Sequence, residues 1–199
     1  MGLISNGTTI FNNGVMASGF GGSLKFISKQ TASSSSSINF TSGIDSSFNE
    51  YIFYFISMHP ATDLVSFQFN MSTDGGSNYN VTKTTTFFRA YQTETGGSNN
   101  LEYYAASDLA QSTSDQILCQ AGGNANDEGV SGYLHLFNPS STTFSKQFIA
   151  TGLTASLNQT QQQFHVGGYG NTTSAVNAVR FQMSSGNIDS GDIILLGVS

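Results

Sequence analysis

Three His, one Cys and twelve Asp and Glu are the side chains of this 199-residue chain that could do acid–base, nucleophilic or metal chemistry. A metal centre needs ligands at short spacing. His59, His135 and His165 lie far apart, and none has a second His or a Cys beside it. Cys119 stands alone, which excludes an intramolecular disulfide and reads as a small core hydrophobe. Glycoside cleavage needs two carboxyl groups held across a groove. The only adjacent acidic couple, Asp127-Glu128, falls in a Gly/Asn loop, where solvation is the simpler role. No catalytic residue is assigned, and the chain reads as a non-enzyme. Asp74, Asp127 and Asp189 sit in Gly/Ser/Asn clusters whose oxygens could hold calcium, although none fits an EF-hand loop and Asp in a turn commonly bonds its own backbone. Calcium is the one cofactor kept as an expectation.

Sugar recognition needs aromatic faces beside amides and hydroxyls. Tyr91, Tyr103, Tyr104 and Tyr169 fall in or beside predicted loops and are the candidate glycan contacts, while the absence of Trp argues the other way. Host surface polysaccharide is therefore a second class of partner. Charged residues are only 9% of the chain, and six Lys and Arg cannot make a basic groove, so nucleic acid is not expected. No run approaches 18 apolar residues, and the first residues lack a basic segment followed by an apolar one, so neither membrane insertion nor export is expected. The expectation is a protein assembled in a bacterial cytoplasm.

The elements that position these residues all read as strands. Sixteen Phe and eight Tyr are enough to fill a core, and they sit in runs of strand formers. Val176 to Val198 reads strand, turn, strand: Val179, Phe181 and Met183 alternate with polar residues, and Ile193 to Val198 is apolar on both faces, as in an internal strand. Tyr51 to Met58 has the same character and stops at Pro60, while Val65, Phe67, Phe69 and Met71 alternate strictly. Asp74 to Asn78 predicts a hairpin, and the return run spans Tyr79 to Tyr91. Leu24 to Ile27, Ile38 to Phe40, Tyr133 to Phe137, Phe144 to Ala150 and Gln163 to Val166 are further strands. The Ser run at Thr31 to Ser37, the clusters Thr95 to Asn100 and Gly122 to Asp127, and Gly167 to Gly170 read as loops or turns, and Ala105 to Gln111 as a helical turn or two. Nine or ten short strands without an amphipathic helix predict an all-β chain, an antiparallel β-sandwich of jelly-roll type over residues 23–199. Residues 1–22, Gly-rich with Leu3, Ile4, Ile10, Phe11, Val15, Met16 and Phe20, read as a docking arm.

The ordered series Ser72-Thr73-Asp74-Gly75-Gly76-Ser77-Asn78-Tyr79, Gly132-Tyr133-Leu134-His135-Leu136-Phe137-Asn138-Pro139, Gly167-Gly168-Tyr169 and Val179-Arg180-Phe181 through Gly186-Asn187-Ile188 to Gly197 resembles a group of tailed-bacteriophage proteins, common in marine phages and described as virion structural or tail-fibre proteins. The resemblance spans roughly residues 38–199 and transfers no catalytic residue. It implies a β-sandwich on the virion exterior, in a tail fibre, a baseplate or a capsid decoration. Its partners would be other virion proteins and further copies of itself, with a trimer favoured, and the arm would be the anchor. The loops at 95–100 and 122–129 would form the outermost surface.

Overall fold

A computed structural model describes residues 23–156 and 160–199, with the backbone of residues 3–5, 8–12 and 15–16. Those last three segments are β1 (Leu3–Ser5), β2 (Thr8–Asn12) and β3 (Val15–Met16), paired antiparallel in that order. The docking contacts expected of residues 1–22 fall on side chains outside the described residues.

Twelve strands build the rest: β4 (Leu24–Ser35), β5 (Ile38–Phe40), β6 (Glu50–Pro60), β7 (Val65–Ser72), β8 (Lys83–Thr93), β9 (Asn99–Tyr103), β10 (Gln116–Gly122), β11 (Gly129–Phe137), β12 (Lys146–Ser156), β13 (Thr160–Gly170), β14 (Ala178–Met183) and β15 (Ile188–Val198). They form an eight-stranded sheet in the order β4-β15-β6-β11-β12-β13-β8-β9 and a four-stranded sheet in the order β10-β7-β14-β5, with every pairing antiparallel. The protein is therefore an all-β, antiparallel β-sandwich. The sandwich is uneven, eight strands against four. No helix among the described residues is long and apolar enough to cross a membrane.

The core lies between the sheets and is largely aromatic. Phe40, Phe53, Phe67, Phe69 and Phe181 are all buried, with ring centroids 5.3–6.3 Å apart where Phe181 or Phe40 meets its neighbours. The internal placement expected of β6 and β15 holds, since each is paired on both sides.

Several predicted connections differ. The Ser run is strand, because β15 pairs along β4 as far as Ser35 and supplies the ladder that Ser-rich sequence does not specify by itself. Asp74 to Asn78 does not close a hairpin: β7 belongs to the small sheet and β8 to the large one, so the turn crosses the sandwich. The strands β14 and β15 likewise lie in different sheets. Asn99 and Asn100 pair with Gln92 and Tyr91, which shortens the predicted loop to a tight turn. The expected helix is a single 3-10 turn at Ala105–Ser107. Gly167 to Gly170 continue β13 instead of ending it; at Gly168 an added Cβ would lie 2.6 Å from the Thr84 carbonyl oxygen, so this glycine permits close approach of β8.

Candidate interaction face

Alternation along a strand sends successive side chains to opposite faces. Across the large sheet, Leu195, Phe53, Leu134, Phe148, Phe164 and Phe87 are buried, so their neighbours point outward, away from the small sheet. One outward row runs Phe26, Leu196, Ile52, His135, Ile149, Gly167, Thr86 from β4 to β8. The next runs Ile194, Tyr54, Tyr133, Thr151, His165, Phe88, Tyr103 from β15 to β9. Leu24, Ile56, Leu153 and Leu101 lie on the same side. Eight large apolar side chains of this face, Leu24, Phe26, Ile56, Phe88, Leu101, Tyr103, Ile149 and Leu153, are between 41% and 71% exposed. A solvated sheet face ordinarily carries polar residues at these positions. An exposed patch of this extent marks an interaction surface.

Its aromatic groups are organised. Phe88 stacks on His165 at 5.1 Å, and Tyr54 meets Tyr133 edge-on at 6.1 Å, with His135 5.2 Å beyond Tyr133. Thr151 Oγ1 and Gln163 Nε2 lie 3.2 and 3.1 Å from the two His165 ring nitrogens. Between Phe88 and Ile149, the missing side chain of Gly167 leaves a shallow depression of about 260 Å³, rimmed by Thr86, Thr151 and His165.

The face is close to electrically neutral. Lys29 pairs with Asp192 at 3.0 Å, Thr31 also donates to that carboxylate, and these bonds hold the Asp192 pKa down, Thr31 contributing most. Glu50 is bonded to His135. Outward strand residues thus include one cation and two carboxylates, and the Asp108 carboxylate meets the face at Tyr103, so most of the six net negative charges reside elsewhere on the chain.

The four candidate glycan tyrosines are not brought together. Tyr103 points outward beside Phe88, and its hydroxyl donates to Asp108, which raises the phenol pKa. Tyr169, opposite Thr84, is also outward. Tyr104 packs against the core, and the Arg89 guanidinium lies 4.3 Å from its ring and 5.8 Å from that of Tyr91. One residue of offset decides the split between Tyr103 and Tyr104. The calcium candidates are separated as well. The Val65 end of β7 pairs with Gly122, near Asp127, whereas its Ser72 end leads to Asp74. The Asp74 carboxylate accepts from Ser72 Oγ, Asn78 Nδ2 and Asn78 N, which holds its pKa at about 2 and orders the turn. Asp189 faces His59 at 3.6 Å. Among the described residues no three His, Cys, Asp or Glu converge as a metal site. Cys119 is fully buried, and burial pushes its thiol pKa up.

Two buried lysines were not anticipated. Lys83 Nζ donates to Asn70 Oδ1 at 2.6 Å and to the Val81 carbonyl at 2.8 Å. Lys146 Nζ donates to the carbonyls of Ser141 and Phe144, both at 2.6 Å. Period-2 parity reveals both positions, because Lys83 shares its face with Phe87 and Lys146 with Phe148. Burial lowers the Lys83 pKa from 10.5 to about 8. Below that value both folded and unfolded chains carry the proton and the desolvation cost is constant. Between about 8 and 10.5 only the unfolded chain keeps it, so stability rises with pH. Relative to Lys83→Met, the wild type should gain about 2 kcal/mol from pH 8 to pH 10, readable as diverging urea midpoints. Parallel midpoints would contradict the assignment.

Compared with family models, curated proteins and solved structures, the chain matches none.

Proposed function

We propose that this chain is a non-enzymatic structural protein of a bacteriophage particle, displayed on its exterior as a tail-fibre or baseplate component or as a capsid decoration, and that it works by docking through the outward face of its eight-stranded sheet. The observation that carries the docking role is the set of eight exposed large apolar residues on that one face, where an ordinary solvated sheet would be polar. The phage assignment rests on the resemblance of the turn motifs between Ser72 and Gly197. Residues 1–22 would supply the anchor, and the host bacterial cytoplasm the place of assembly. Mass spectrometry of purified particles, with antibody labelling in the electron microscope, tests the reading. The chain should be present in the particles and its epitopes accessible on intact ones; its absence from particles that were made alongside it would overturn the assignment.

A second reading, adhesion to host surface polysaccharide, is favoured by a narrower observation: Phe88, stacked on His165 with Thr86, Thr151 and Gln163 around it, offers an aromatic plane edged by hydroxyls and an amide. Binding on an array of bacterial glycans that is lost in Phe88→Ala would support it, and an array without signal would end it.

A further inference from the structure

The occupant of the outward face can be named more closely, on the reading that this face is the docking surface. We infer that it is a second copy of the same chain, bound with the Phe26 end of one copy's face in the Gly167 depression of the next.

Charge argues for a copy of itself. A chain with most of its net negative charge off the face repels another copy at most approaches, and the face is where that repulsion is weakest and apolar surface is concentrated. The area sets the strength. At about 200 Å² for a fully exposed large side chain, the eight exposed residues offer about 850 Å², which a head-to-tail arrangement divides between two neighbours, so that one contact buries about 850 Å² counting both partners, at the low end for specific interfaces.

Shape decides the arrangement. Phe26 projects from the edge strand β4 at 68% exposure, a knob with little of its own sheet around it. Gly167 lies on the same transverse row, five strands away in β13, and forms the floor of the depression between Phe88 and Ile149. Adjacent strands rotate by roughly 20–25°, so the two ends of the row face directions roughly 100–125° apart. Two copies cannot lay both ends of such a twisted face against each other as flat slabs. Knob of one against depression of the next satisfies both ends, and a head-to-tail contact of this type closes into a ring when its rotation permits, in keeping with the expected trimer.

The test uses full-length protein and two substitutions that the fold should tolerate. Phe26 is exposed, so Phe26→Ser removes the knob without opening a cavity. Gly167 has ordinary strand geometry, and a Cβ there would meet nothing closer than Thr86 Oγ1 at 3.9 Å, so Gly167→Val fills the depression from within an intact strand. Melting within about 2 °C of wild type verifies both folds. By sedimentation velocity at micromolar concentration, the wild type should be oligomeric and each variant a single chain, its association weakened about 100-fold by loss of one buried aromatic contact. Mixed in equal amounts, the two variants should form a one-to-one dimer, because the Phe26 of Gly167→Val can still enter the depression of Phe26→Ser. A monomeric wild type, variants that associate as it does, or a mixture that stays monomeric would each overturn the inference. None of these outcomes bears on whether the chain is found on particles, so the functional reading stands or falls separately.

Discussion

Phe181→Ala is expected to destabilise the sandwich by about 4 kcal/mol, within the range for deleting a fully buried Phe ring. Phe181 comes from β14 in the small sheet and has no exposed surface. Its ring lies 5.4 Å from Phe53 across the sandwich and 5.8 Å, nearly parallel, from Phe67 on the neighbouring strand. Phe40 and Phe69 complete the surround at 6.3 Å. Truncation leaves a hole that four rings border, and rigid rings on hydrogen-bonded strands cannot close it. For a chain of this size the loss should lower Tm by roughly 8–16 °C. Phe181→Leu, which keeps most of the volume, should cost less than half as much. A drop below 2 °C for the alanine variant would contradict this packing.

Lys146→Met is expected to cost about 3 kcal/mol, or roughly 6–12 °C in Tm, for a different reason. The ammonium ties together the loop between β11 and β12: it donates to Ser141 and Phe144 and, more weakly at 3.4 Å, to Thr172 of the β13–β14 connection. Methionine has the length but no proton to give, so the carbonyls lose a charge-assisted donor in a part-buried site. Part of that loss is offset, because burial disfavours the ammonium and lowers its pKa. Two bonds of 2.6 Å outweigh this gain. Thermal melts of wild type and variant at pH 7 check the sign; a variant at least as stable would show that the charge is a net liability.

The fold was legible because alternation and turn chemistry are local. The strictly alternating Val65 to Met71 run is β7, and Pro60 is the last residue of β6. Connectivity was not legible, since a turn such as Asp74 to Asn78 has the same residues whether the next strand pairs with the last one or crosses to the other sheet. Strand ends depart from composition where tertiary pairing overrides it, as for the serines of β4 and the glycines of β13. The interaction face was half legible. Ile193 to Val198 and Tyr51 to Met58 are apolar on both faces, the pattern of an internal strand, and both are internal. That property carries a second meaning: among the described residues only the small sheet packs on the large one, on its inner side, so the outward Ile194, Leu196, Tyr54 and Ile56 face away from the core. The depression could not be foreseen, because it depends on Gly167 falling between Ile149 and Thr86, a register set by three strands.

Hydroxyl-radical footprinting of the full-length protein across a dilution series tests most directly whether the outward face is an interface. Phe26, Phe88 and Leu101 should be protected at high concentration and become reactive on dilution below the point where association is lost. Leu64, 54% exposed in the turn between β6 and β7 and away from the face, provides the internal reference and should react equally throughout. Oxidation of all four residues at rates independent of concentration, in a sample that scatters light as a single chain, would contradict the account.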